Sequence, residues 1–159
     1  MKTRVEVEGD TLIVTRIYDA PREEVFDAWV EVSKVQLWWG CAMTRAVRSE
    51  VEPRVGGRYR HHMTIEGAGE MTQESKFTVF ERPSRLAYHA EPPVIEGQRL
   101  GEGMTVTVEF RDLGEQTEVC LTHTGLSLPI LREQVPMGWS AAFDKLGRFL
   151  KGDPSLAAR

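Results

Sequence analysis

The chain has 159 residues, of which 41% are hydrophobic and 28% charged, with a formal net charge of −4. That is the length and composition of one ordinary globular domain, expected to bury roughly 70% of its unfolded surface without a disulfide or metal staple. The acidic balance disfavours a general nucleic-acid binder, which needs a local surplus of Lys and Arg, and two isolated cysteines, Cys41 and Cys120, are too few for a zinc site.

The first ten residues are charged and lack an apolar run, and nowhere does an apolar stretch approach the roughly 20 residues of a membrane span. The expectation is a cytoplasmic protein with no membrane insertion. It is read as one domain over 1–159, with a core at about 11–150 and a tail at 151–159.

Thr11 to Asp19 is a β-branched run apolar on both faces, which predicts a strand inside a sheet and covered on two sides. Asp19-Ala20-Pro21 starts a helix, with Pro21 at its first position and Glu23 and Glu24 in the favourable first turn. Val25, Phe26, Trp29 and Val30 form its apolar face. A second short helix is predicted from Ser33 to Trp39, capped by Ser33 and stopped at Gly40.

From Thr44 to Thr124 the period becomes two, and turn residues recur every ten or so positions, as in an antiparallel meander of six strands. Tyr59, His61, Met63 and Ile65 alternate with Arg58, Arg60, His62 and Thr64. Met104, Val106, Val108 and Phe110 do the same against Thr105, Thr107, Glu109 and Arg111, and Val119, Leu121 and His123 against Glu118, Cys120 and Thr122. One face of this sheet is dry and the other wet. Gly56-Gly57 reads as a hairpin turn, and Pro92 to Gly103 as a longer loop that could lie over the end of the sheet as a lid. Helical spacing returns with Trp139, Ala142, Phe143, Leu146, Phe149 and Leu150. Pro136 is expected to start or kink this helix, and Gly152-Asp153-Pro154 to end it.

Five pieces, in order, resemble a known family: the segment Asp19 to Trp29, Trp38-Trp39-Gly40, Arg54-Val55-Gly56-Gly57-Arg58-Tyr59, Pro83-Ser84-Arg85-Leu86, and Gly138-Trp139 opening the last helix. They are similar to the START-like helix-grip superfamily, and within it to the branch named for homologues of the ATPase activator of heat-shock protein 90. The resemblance runs from about Thr11 to Leu150. It implies an α+β fold, a seven-stranded curved antiparallel sheet wrapped round a long C-terminal helix, with two short helices after the first strand. It also implies an apolar cavity between sheet and helix as the ligand site. At His61 the branch often has an aromatic or aliphatic residue, and the strand Phe77-Thr78-Val79-Phe80-Glu81 lacks the carboxylate often found near Val79; both departures favour a ligand-specific pocket over a transferred catalytic arrangement.

On that architecture the cavity is expected to be lined by Tyr59, His61, Met63, Phe77, Tyr88, Met104, Val106 and His123 from the strands. Trp38 and Trp39 border it at one end, and Trp139 and Phe143 close it from the long helix. Tyr88 rather than His89 is placed inward, because Leu86 shares its face, and His62 is placed outward. His61 and His62 point to opposite faces and cannot chelate one ion together, and no metal-ligand motif occurs, so neither a metal nor a cofactor is expected. The preferred function is binding of a small hydrophobic or amphipathic molecule. A cyclase, dehydratase or hydrolase using His61 as acid or base with Tyr59 as partner is an alternative. A co-chaperone module that touches a heat-shock chaperone is another, implied by the branch name alone.

Overall fold

The computed structural model describes residues 2–158 apart from positions 93, 96 and 100. Two hairpin strands, β1 (Arg4–Glu8) and β2 (Thr11–Tyr18), lead into α1 (Arg22–Val30) and α2 (Val32–Trp38). Then come β3 (Thr44–Val51), β4 (Arg58–Ile65), β5 (Gly69–Glu81) and β6 (Arg85–Ala90), a small hairpin of β7 (Val94–Ile95) and β8 (Gln98–Arg99), and β9 (Met104–Asp112) with β10 (Thr117–Thr124). The 22-residue α3 (Pro129–Leu150) and a terminal 3-10 turn (Pro154–Ala158) finish the chain.

One antiparallel sheet of eight strands has the order β1-β2-β10-β9-β6-β5-β4-β3. The helix pair carries the chain from β2, near one edge, to β3 at the other, so the meander then walks back across the sheet. Register shifts between Thr44 and Ala46 on β3 and between Phe77 and Val79 on β5 bend the sheet, as bulges do. Its inner face and α3 enclose one core in which Leu12, Val14, Leu86, Val108, Leu121, Phe143 and Leu146 are fully buried. The α+β helix-grip architecture expected from the sequence is the one observed.

Five details differ from expectation. The sheet has eight strands, not seven, because the charged N-terminal segment forms edge strand β1, all five residues of which are exposed. β2 does lie inside the sheet, but it is fully covered only on the face of Leu12, Val14 and Tyr18; Ile13 and Ile17, on the other face, are half-buried. The second helix spans Val32–Trp38 without a side-chain cap from Ser33, because its flanking N-terminal residue is Glu31. Gly40 then turns the chain with a φ of 94°.

The fourth concerns α3. It begins at Pro129, whose missing N–H falls where a helix needs none, so neither Pro136 nor Gly138-Trp139 opens it. Pro136 lies inside, one turn before Trp139, where it deletes a backbone hydrogen bond. The first helix likewise begins one residue late, with Pro21 in the flanking position. The expected lid loop carries the β7–β8 hairpin; its positions 93, 96 and 100 lie outside the described residues, as does residue 159 of the expected tail.

Candidate functional site

Alternation in β4 turns Tyr59, His61 and Met63 toward α3 and buries all three, while His62 on the outer face bonds Glu50 and Thr72. Phe77 from β5, Tyr88 from β6, Met104 and Val106 from β9 and His123 from β10 are buried on the same inner face, and His89 is exposed. The local alternation of polar and apolar residues was sufficient to orient these side chains.

The helices bring four indoles onto that face. Trp38 and Trp39 sit at the end of α2, Trp139 descends from α3, and Trp29 on α1 lies at the centre. Ring centroids of Trp29 lie 4.7 Å from Trp38, 6.2 Å from Trp39, 5.9 Å from Trp139 and 6.2 Å from Phe143. The space between sheet and α3, expected to be a chamber, is therefore occupied by interlocking rings. The reason is volume: helical periodicity alone sends Trp29 to the apolar face of α1, but only the tertiary fold makes all four indoles converge. A depression of about 450 Å³ lined by Asp19, Leu113, Glu115 and Gln116 lies elsewhere, and its lining includes two carboxylates, unlike an apolar pocket.

His61 is a fully enclosed polar group of the layer. Its Nδ1 is 2.7 Å from Ser49 Oγ, directly across the β3–β4 pair, and the Trp39 indole stacks on its ring at 3.8 Å and 18°. Its Nε2 is buried and has no hydrogen-bond partner among the described residues. Burial, with a smaller contribution from nearby His62, pushes its pKa down to about 3, so the ring is neutral at physiological pH. Tyr59 packs edge-on to His61 at 4.5 Å, but its hydroxyl donates to the Trp29 carbonyl oxygen at 2.7 Å. The phenol is thus engaged by α1 and Ser49 is the partner of the imidazole.

His123 is oriented from the other side. The Trp139 Nε1–H donates to its Nδ1 at 2.9 Å, and because an indole can only donate, the neutral ring carries its proton on Nε2. That nitrogen lies 3.1 Å from Met104 Sδ, a weak acceptor. Burial lowers the pKa of His123 to about 4. Trp39 is likewise held: its Nε1 donates to Gln73 Oε1 at 2.9 Å, and Lys145 from α3 donates to its carbonyl oxygen and to that of Cys41, both at 3.1 Å.

Ser49, Gln73 and Lys145 were absent from the sequence expectation, and Trp29 was expected only on the apolar face of the first helix, not in the site. Trp29 Nε1 is the second buried polar atom of the layer with no hydrogen-bond partner among the described residues. Nothing in the spacing of Trp29 separates a core indole from one with an unpaired donor, and Ser49 and Gln73 look like ordinary strand residues. Among the described residues no three His, Cys, Asp or Glu side chains cluster as a metal site.

Solved structures with this arrangement of strands and helices are numerous. A protein of Arthrobacter aurescens shares 19% identity over 94% of this chain and 91% of that one, with a TM-score of 0.81. The AHSA1 protein of Silicibacter pomeroyi shares 18% over 90% and 99%, with a TM-score of 0.78. CalU16 of Micromonospora echinospora shares 24% over 96% and 85%, with a TM-score of 0.66. At these identities the likeness is one of fold. No curated protein matches. A family model described as activator of Hsp90 ATPase homolog 1-like protein matches residues 19–151, which run from the start of α1 through the end of α3 and so take in every indole and both inner histidines. The chain belongs to that family, on the START-like helix-grip fold.

Proposed function

We propose that the protein binds a small planar molecule, hydrophobic with one polar end, between the sheet and α3 at the layer where Trp29, Trp39, His61 and Trp139 meet. The supporting observation is the pair of buried polar atoms, His61 Nε2 and Trp29 Nε1, that have no hydrogen-bond partner among the described residues and lie in a largely aromatic layer. A buried group left unpaired costs about 1–3 kcal/mol. A guest that offers an acceptor to the indole N–H and a polar atom to the imidazole recovers that energy only by sitting between them. Stacking on indoles and burial at about 25 cal/mol per Å² supply the remainder.

Entry requires an indole to move. Trp139 is half-buried and lies one turn beyond Pro136, which removes a backbone hydrogen bond from the preceding turn of α3, so it is the indole we expect to move. Native mass spectrometry and tryptophan fluorescence against flavonoid, aromatic polyketide and fatty-acid series test the proposal. Selective binding of a planar class by the wild type, lost in the Met63→Trp variant that crowds the same layer, is expected. Silence across all three series, or binding that Met63→Trp leaves undiminished, overturns it. The family description supports the co-chaperone alternative; stimulation of a heat-shock chaperone ATPase by a protein silent in the binding series would favour that function instead.

A further inference from the structure

The N-terminal hairpin leaves one edge of the eight-stranded sheet open. A two-residue turn, Gly9-Asp10, joins β1 to β2 with Glu8 opposite Thr11, Glu6 opposite Ile13 and Arg4 opposite Thr15. In a hairpin closed by a two-residue loop the flanking pair is hydrogen-bonded and the pairs then alternate. Arg4, Glu6 and Glu8 therefore turn their backbone groups to β2, and Thr3, Val5 and Val7 turn theirs outward. Nothing among the described residues pairs with that edge. The far edge of the sheet differs, because the Ser49 N–H of β3 donates to Gln36 Oε1 of α2 at 2.8 Å.

An open edge accepts another strand when side chains agree as well as backbone. We propose that β1 pairs antiparallel with β1 of a second copy of this chain, on a two-fold axis at Val5, joining two sheets into one. In that register Val5 faces Val5 of the partner subunit, and Thr3 faces the partner's Val7; these are the pairs whose backbone groups are free to bond. Arg4 then faces the partner's Glu6, and Lys2 the partner's Glu8. The two-fold axis doubles each, so four opposite-charge pairs form and no like charges meet. They fall at the closely spaced, non-hydrogen-bonded positions. Centring the axis on Glu6 instead keeps the backbone pattern but sets Glu6 against the partner's Glu6, so charge selects the Val5 register.

The edge suits a partner. Every residue of β1 is exposed, and Val5 and Val7 are 39% and 46% accessible despite their apolar side chains. The strand is also held in place, since Thr3 Oγ1 bonds Asp144 of α3 at 3.3 Å and Arg16 at 3.2 Å. A second copy would dry the two valines and satisfy the outward N–H and C=O groups of the edge. This interface lies across the sheet from Trp39 and His61 and stands whether or not a guest binds there.

Sedimentation velocity over a wide concentration range tests it. The wild type is expected to dimerise, more weakly at high salt because the ion pairs are exposed. Arg4→Glu and Glu6→Arg each turn two favourable pairs into like-charge pairs and should weaken the dimer at least roughly tenfold. The decisive sample is their mixture, in which Glu at position 4 of one variant meets Arg at position 6 of the other and the reverse, so a heterodimer should return. Circular dichroism checks that each variant is folded. A wild type that stays monomeric throughout, single variants that dimerise as tightly as the wild type, or a mixture that fails to reassociate would each overturn the proposal.

Discussion

The Trp39 indole lies flat on the His61 imidazole, with ring centres 3.8 Å apart and planes 18° apart. That contact ties the end of α2 to β4, the strand next to the β3 edge of the sheet. It also fixes the imidazole between a hydroxyl on one side, Ser49, and an aromatic face above. A neutral, desolvated histidine so placed can hydrogen-bond but does not carry a proton near neutral pH.

Acid should destabilise the protein through its two inner histidines. Unfolded, each takes a proton near pH 6.5, whereas the folded values are about 3 for His61 and about 4 for His123. The unfolded chain thus binds more protons between those limits. Stability is fully present above pH 6.5 and falls as pH drops toward 4, with a slope approaching about 1.4 kcal/mol per pH unit for each ring. Urea titrations at stepped pH measure this. His61→Gln and His123→Gln should each flatten the slope, and slopes unchanged in both would contradict the burial of the rings.

Trp39→Ala should cost about 3–5 kcal/mol, the usual penalty for deleting a buried large aromatic. The space it leaves has an imidazole floor and an acceptor, Gln73 Oε1, at the rim. Free indole should therefore raise the melting temperature of the variant more than that of the wild type. Equal shifts in both proteins would mean that indole binds elsewhere.

Ser49→Ala removes the one hydrogen-bond partner His61 has among the described residues and leaves its buried Nδ1 unpaired, at about 1–3 kcal/mol. The double variant Ser49→Ala with His61→Leu should lose much less than the sum of the two single changes, because the orphaned group is gone. Additive losses in chemical denaturation would show that the pair is uncoupled.

Tyr59→Phe should lower stability by about 0.5–1.5 kcal/mol through loss of the bond to the Trp29 carbonyl. It should leave guest binding intact, since the hydroxyl is directed at α1 and not at His61. A binding loss larger than tenfold would place the phenol in contact with the guest.

Much of the fold was legible because its strands have one dry face. Met104 to Arg111 and Val119 to His123 alternate without interruption, and that period alone turned His61, His123 and Tyr88 inward and His62 and His89 outward. Where the signal failed, the deciding interaction was not local. β1 has only Val5 and Val7 as apolar residues, too few to stand out, and exists because β2 offers it an edge. α3 extends back to Pro129 across Pro136, which the sequence marks as a boundary, because packing of Leu131 and Phe143 against the core outweighs one missing hydrogen bond.

By itself the sequence determined the main strands and helices and which side chains face the interior, because these follow from a period of two or of 3.6 residues and from turns at fixed places, while the helix-grip architecture was implied by the family resemblance of its motifs. Only the tertiary structure decided that the interior is filled by four converging indoles, that Ser49 rather than Tyr59 holds His61, and that Trp29 and His61 each keep a buried polar atom with no partner among the described residues. Those outcomes depend on distances between residues far apart in the chain, and periodicity sets directions without setting distances.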